Sequence, residues 1–139
     1  MPTREQLETL IRDPEFRAQF VADYVQEMVS AQVRTMRDHH GWTQEQLGKA
    51  SGRMSQVQIS RLENADYSGT SLNSLKRMAQ AFDVGLIVRM ASFSEFVDWI
   101  TGMTPEKVAP LNYSEEQERH RGELAGVKRS CALRHNGVE

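Results

Sequence analysis

Residues 41–64 read GWTQEQLGKASGRMSQVQISRLEN, a stretch in which the signals for a helix, a tight turn and a second helix follow in order. The Thr43 hydroxyl can accept from a free amide two or three residues on and cap a helix running through Leu47 to Ala50. Gly41, just before it, suits the left-handed end of a preceding helix. Gly52 and Arg53 interrupt the pattern, and Ser55 offers a second N-cap for a helix from Gln56 to about Asn64. Two short amphipathic helices joined by a Gly-bearing turn are what a major-groove DNA reader requires.

At about 100° per residue, the second helix places Ile59 and Leu62 side by side. Val57, Ser60, Arg61 and Asn64 fall on the opposite face, flanked by Gln56. That face carries an amide, an aliphatic group, a hydroxyl and a guanidinium, groups suited to adenine edges, thymine methyls and guanine O6/N7. An ordinary solvated face carries Glu and Lys more often. Polar surface residues without a ligand are the bland reading of the same face.

From Val33 to Asn64 the chain resembles the Xre family of helix-turn-helix regulators, which includes the lambdoid phage repressors and Cro proteins. The resemblance is carried by Val33, Met36 and Arg37, by Gly41, Thr43, Gln44 and Leu47, and by Ser55, Ile59, Ser60, Arg61, Leu62, Glu63 and Asn64. It implies an all-α, lambda-repressor-like helix-turn-helix bundle that binds double-stranded DNA. It also implies a phosphate contact from Gln44, base contacts from Gln56, Val57 and Arg61, and a partly buried ion pair between Arg37 and Glu63. Thr43, Arg53, Ser55, Gln58, Ser60 and Asn64 complete the expected DNA-binding set.

The chain departs from the family pattern at three places. Between Leu47 and Ile59 it is one residue longer, with Arg53 and Met54 where one apolar turn residue is usual, which bears on the angle of the second helix. Gly48 stands where Ala is usual, keeping the smallness at a cost of about 1 kcal/mol in helix propensity. Val57 stands where a polar residue is common. It either meets a thymine methyl or is buried by the altered turn.

The 139 residues fit one domain with extensions, and 39% hydrophobic content suffices for a small helical core. The single cysteine, Cys131, excludes a disulfide framework or a cysteine-built zinc site within the chain. No apolar run reaches the length of a membrane span or signal peptide, so the expectation is a cytoplasmic protein without membrane contact. The net charge of −2 is unevenly spread: −3 over residues 1–32, +2 over 33–64, −1 over 65–103 and 0 over 104–139. The positive charge lies on the proposed reader. Such modest electropositivity predicts weak non-specific binding and reliance on base contacts and dimerisation.

Upstream, Asp13-Pro14 reads as an N-cap and first helical residue, and nothing breaks the pattern before Gly41. Val21, Val25, Met28 or Val29, Val33 and Met36 form one apolar row, and Phe16, Phe20 and Tyr24 a second. The segment is either one helix of about 26 residues, roughly 40 Å long, or two broken near Ser30. Its apolar rows await a second chain, the C-terminal segment, or simply a larger monomer core. Xre domains usually begin at its second half, so residues 1–30 are an N-terminal helical extension and 31–84 the DNA-binding domain.

Downstream, Thr70 or Ser71 can cap a helix with Leu72, Leu75, Met78, Ala79 and Phe82 as its apolar stripe. Residues 85–90, GLIVRM, are β-prone, and a strand there must pair. Its partner is the same strand of a second subunit, or the segment is an extended linker. Phe93, Phe96, Val97, Trp99 and Ile100 make a short amphipathic helix that docks on the long N-terminal helix or on a partner chain, and residues 85–103 are expected to dimerise the chain. Residues 104–139 read as a polar, mobile tail in which Glu115 to Leu124 can form a transient helix.

Catalytic chemistry, metal ligation and a cofactor find no support. His39, His40, His120 and His135 lack ligand spacing, and no HExxH, phosphate loop or nucleophile elbow occurs. His39 and His40 complement the end of the first helix or touch phosphate. The sequence therefore predicts a homodimeric, sequence-specific DNA-binding repressor. An antitoxin with a toxin partner and a helical protein-interaction module without DNA binding are the alternatives.

Overall fold

The computed structural model describes residues 2–135, with side chains placed through residue 131. Its described residues form eight helices and no strand. The last positions of the expected tail, 136–139, lie outside the described residues, as does the side chain of His135.

The N-terminal extension holds one short helix and the first part of a second, which continues without a break into the domain expected from residue 31. α1, Arg4–Leu10, opens on a reciprocal capping box between Thr3 and Gln6, a start the sequence reading did not mark. α2, Pro14–His39, is a single unbroken helix of 26 residues capped by the Asp13 carboxylate, which accepts from the Glu15 amide at 3.1 Å. Ser30, the expected break, is buried within it and its hydroxyl donates to the Glu27 carbonyl at 3.0 Å. Gly41 ends α2 with a φ of 66°, as expected of a glycine beyond a helix C-terminus.

α3, Gln44–Ala50, and α4, Gln56–Leu62, form the central helix-turn-helix, and α5, Leu72–Phe82, closes the bundle. Leu47 and Ile59 are fully buried against Val33, Met36, Met54, Leu62, Met78 and Phe82. Ser71, not Thr70, caps α5. Leu72, expected in the apolar stripe, is 50% exposed because it lies at the first helical position, one turn ahead of where the bundle closes over Leu75 and Met78.

A second apolar cluster lies at the other end of α2. Tyr24, Leu7 and Ile100 are buried there, with Phe20, Met28 and Phe96 packed around them. Ile100 and Phe96 belong to α6, Phe93–Thr101, capped by Ser92. Phe96 meets Phe20 and Tyr24 edge-on, at 6.2 and 5.6 Å between ring centres. The second apolar row of α2 thus finds its partner within the same chain.

Residues 85–90, the expected strand, carry no regular secondary structure. Strand hydrogen bonds need a neighbouring strand, and the described residues present none to the segment. α7, Pro105–Val108, and α8, Tyr113–His135, occupy most of the stretch expected as an irregular tail. α8 gathers no apolar face, every residue from Glu118 to Cys131 is exposed, and its support is local, as in the Arg119–Glu123 pair at 3.2 Å.

Candidate nucleic-acid interface

Both motif helices begin on full capping boxes. The Thr43 hydroxyl accepts from the Gln46 amide at 3.1 Å while the Gln46 side chain accepts from the Thr43 amide at 2.8 Å. Ser55 and Gln58 repeat the exchange at 3.2 and 2.8 Å. In the expected DNA-binding set, therefore, Thr43, Ser55 and Gln58 already serve the helix starts through their oxygens. The Gln58 amide donors and the hydroxyl protons remain to be used.

The turn resolves the extra residue. The Met54 amide donates to the Gly48 carbonyl at 3.0 Å, wrapping the chain back over the end of α3. Gly52 and Arg53 both take left-handed backbones, with φ of 77° and 71°. Met54 occupies the apolar site, 6% exposed, and Arg53 is the added residue, projecting into solvent. A Cβ on Gly48 would lie 2.2 Å from the Met54 carbonyl oxygen, so the usual alanine is barred here by the same turn that accommodates the added residue.

With the turn absorbed in this way, α4 keeps its expected rotation. Ile59 and Leu62 point inward, and Gln56, Val57, Gln58, Ser60, Arg61 and Asn64 are exposed. Val57 is 59% exposed, which removes the alternative that the altered turn buries it. Asn64 lies just past α4, where its carboxamide oxygen accepts from the Asp66 amide at 2.9 Å.

Behind this face sits the ion pair. Arg37 donates through Nε and Nη2 to the two Glu63 carboxylate oxygens at 2.5 and 3.2 Å, and through Nη1 to the Trp42 carbonyl at 2.8 Å. Hydrogen bonding to Glu63 holds the Arg37 guanidinium above its already high ordinary pKa, so it stays charged at every accessible pH. The Gln44 amide donates to Glu63 at 3.0 Å. Its second N–H is left for a phosphate. The pair joins α2 to the end of α4, a bidentate geometry that fixes the two elements in angle as well as distance.

Two placements lay outside the sequence reading. His40 caps the end of α2 as expected, but its ring also stacks on Trp42, with ring centres 4.4 Å apart, and on Phe82. Tyr67, in the loop after α4, lies beneath Arg61 with the guanidinium carbon 5.7 Å from its ring centre. A contact across a loop leaves no periodic trace in the sequence. Among the described residues no cluster of three or more His, Cys, Asp or Glu side chains is placed to hold a metal ion. Nor is any helix among them long and apolar enough to cross a membrane.

Residues 33–88 match the helix-turn-helix family model, the family of Xre and lambda-repressor-like regulators. That segment is a helix-turn-helix DNA-binding domain of the Xre type. Comparison with curated proteins and with solved structures returned no match.

Proposed function

We propose that this chain is a sequence-specific transcription repressor that binds a palindromic operator as a homodimer, with α4 in the major groove. The exposed face of α4 carries the reading. Gln56, Val57, Ser60 and Arg61 are all free of the core, and the exposed valine there suits an apolar partner such as a thymine methyl. Gln56 supplies the paired donor and acceptor that recognise adenine, and Arg61 the paired donors that recognise guanine. Gln44 and Arg53 flank them toward the phosphates.

Dimerisation is assigned to residues 85–103. Ile87, Val88 and Met90 are 86%, 66% and 99% exposed, far more apolar surface than so short a segment leaves to water without a partner. The segment borders an apolar cavity of about 420 Å³ between α2, α5 and α6. A two-fold axis there would offer two α4 helices to successive major grooves about 34 Å apart. The test is direct. Arg61→Ala and Gln56→Ala should each weaken binding to a selected operator by about 1 to 3 kcal/mol with the fold intact, and unchanged binding in both removes the assignment.

A further inference from the structure

We propose that Tyr67 is a positioning residue for base readout: its ring holds the Arg61 guanidinium ready for the major groove, so that base preference at the Arg61 position depends on a side chain outside the recognition helix. The inference rests on α4 being the DNA-facing helix and adds a specificity determinant to it. The guanidinium carbon stands 5.7 Å from the ring centre, inside cation–π range. Arg61 is exposed and Tyr67 half-buried, so the stack leaves the guanidinium open to a ligand. No ion pair among the described residues engages Arg61, in contrast to Arg37, whose donors are committed to Glu63 and Trp42.

The loop is built to hold that ring. The Tyr67 amide donates to the Asn64 carbonyl at 3.1 Å, and the same carbonyl accepts from the Gln26 side chain at 3.2 Å, which ties the loop to α2. The Asn64 side chain accepts from the Asp66 amide and tightens the turn between them. The ring lies over Gly69, where a Cβ would come 2.4 Å from the tyrosine oxygen and 2.6 Å from Cζ. Gly69 is not in the left-handed region, so its missing side chain serves the ring rather than the backbone. A long arginine loses rotamer freedom when it grips a base edge, and an aromatic face that restricts it beforehand removes part of that loss.

The experiment compares wild type, Tyr67→Phe, Tyr67→Leu and Gly69→Ala in selection from a random duplex pool, with thermal denaturation of each protein and the salt dependence of binding. Phe should keep wild-type preference. Leu, which fills the space without a π face, should lose about two- to fivefold in affinity for the preferred operator, confined to discrimination at the Arg61 base, with the salt slope unchanged because no phosphate contact is removed. Gly69→Ala, which displaces the ring, should behave like Leu. In proton NMR of the free protein, the Arg61 side-chain resonances should show an upfield ring-current shift that Phe keeps and Leu loses. Unchanged guanine discrimination in Tyr67→Leu overturns the proposal alone. So does a uniform loss across sequences with a shallower salt slope, which would make Tyr67 a phosphate contact. If wild type enriches no sequence, the reading of α4 fails and the proposal with it.

Discussion

Arg53 occupies a backbone conformation that costs an L-residue about 1 to 2 kcal/mol relative to the right-handed region, and it does so in full solvent, with φ at 71°. A side chain that gains nothing from packing and tolerates that strain has its use outside the fold, and at the rim of α4 a phosphate is the natural recipient. Arg53→Gly should therefore separate stability from binding. Thermal denaturation should show a gain of about 0.5 to 1 kcal/mol, while DNA titrations should show weaker binding and a salt slope lower by about 1. A loss of stability, or unchanged binding, would contradict that division of roles. At this scale the sequence was most legible where chemistry is local. The caps at Thr43 and Ser55 and the left-handed Gly41 need only a few consecutive residues to be recognised. Arg37–Glu63 was inferred from resemblance alone, since 26 positions separate the partners, and the Arg61–Tyr67 stack was not anticipated.

The α3–α4 element explains two departures from the Xre pattern as one. The added residue pushes the Met54 carbonyl over Gly48, with 2.2 Å to an added Cβ, so glycine at 48 and the longer turn require each other. Gly48→Ala alone should destabilise the protein by about 1 to 3 kcal/mol through forced displacement of backbone, despite the gain in helix propensity. Deleting Arg53 in the same chain should restore the shorter turn and recover most of that loss. The double-variant cycle in denaturant titrations measures it, and additive losses would show that the turn and the glycine are independent. The faces of α4 were legible from periodicity because a core helix must bury one stripe. The turn conformation was not, because it depends on a through-space collision that composition does not encode.

Across the molecule, α2 is the beam that joins two apolar clusters, one built with α3, α4 and α5 and the other with α1 and α6. Its apolar rows and terminal caps fitted one helix of about 26 residues or two broken near Ser30, and burial of Ser30 within α2 makes it one. Its partners were not evident, since a row of Phe20 and Tyr24 fits α6 of the same chain as well as a second chain. The strand expected over 85–90 lacks a partner in the single chain, and its exposed Ile87 is the place to test assembly. Ile87→Lys should leave thermal stability within about 0.5 kcal/mol, shift the sedimentation equilibrium toward monomer, and weaken operator binding, because one half-site alone supplies half the contacts. Wild-type association unchanged by that substitution would move the interface elsewhere.

Whether α4 reads base sequence is settled by selection of duplexes from a random pool at two salt concentrations. A dimer reading through α4 should enrich one motif with two inverted half-sites about 10 base pairs apart, bound at least about a thousandfold more tightly than bulk DNA. Enrichment of no sequence, with affinity that varies only with salt, would contradict that role for α4.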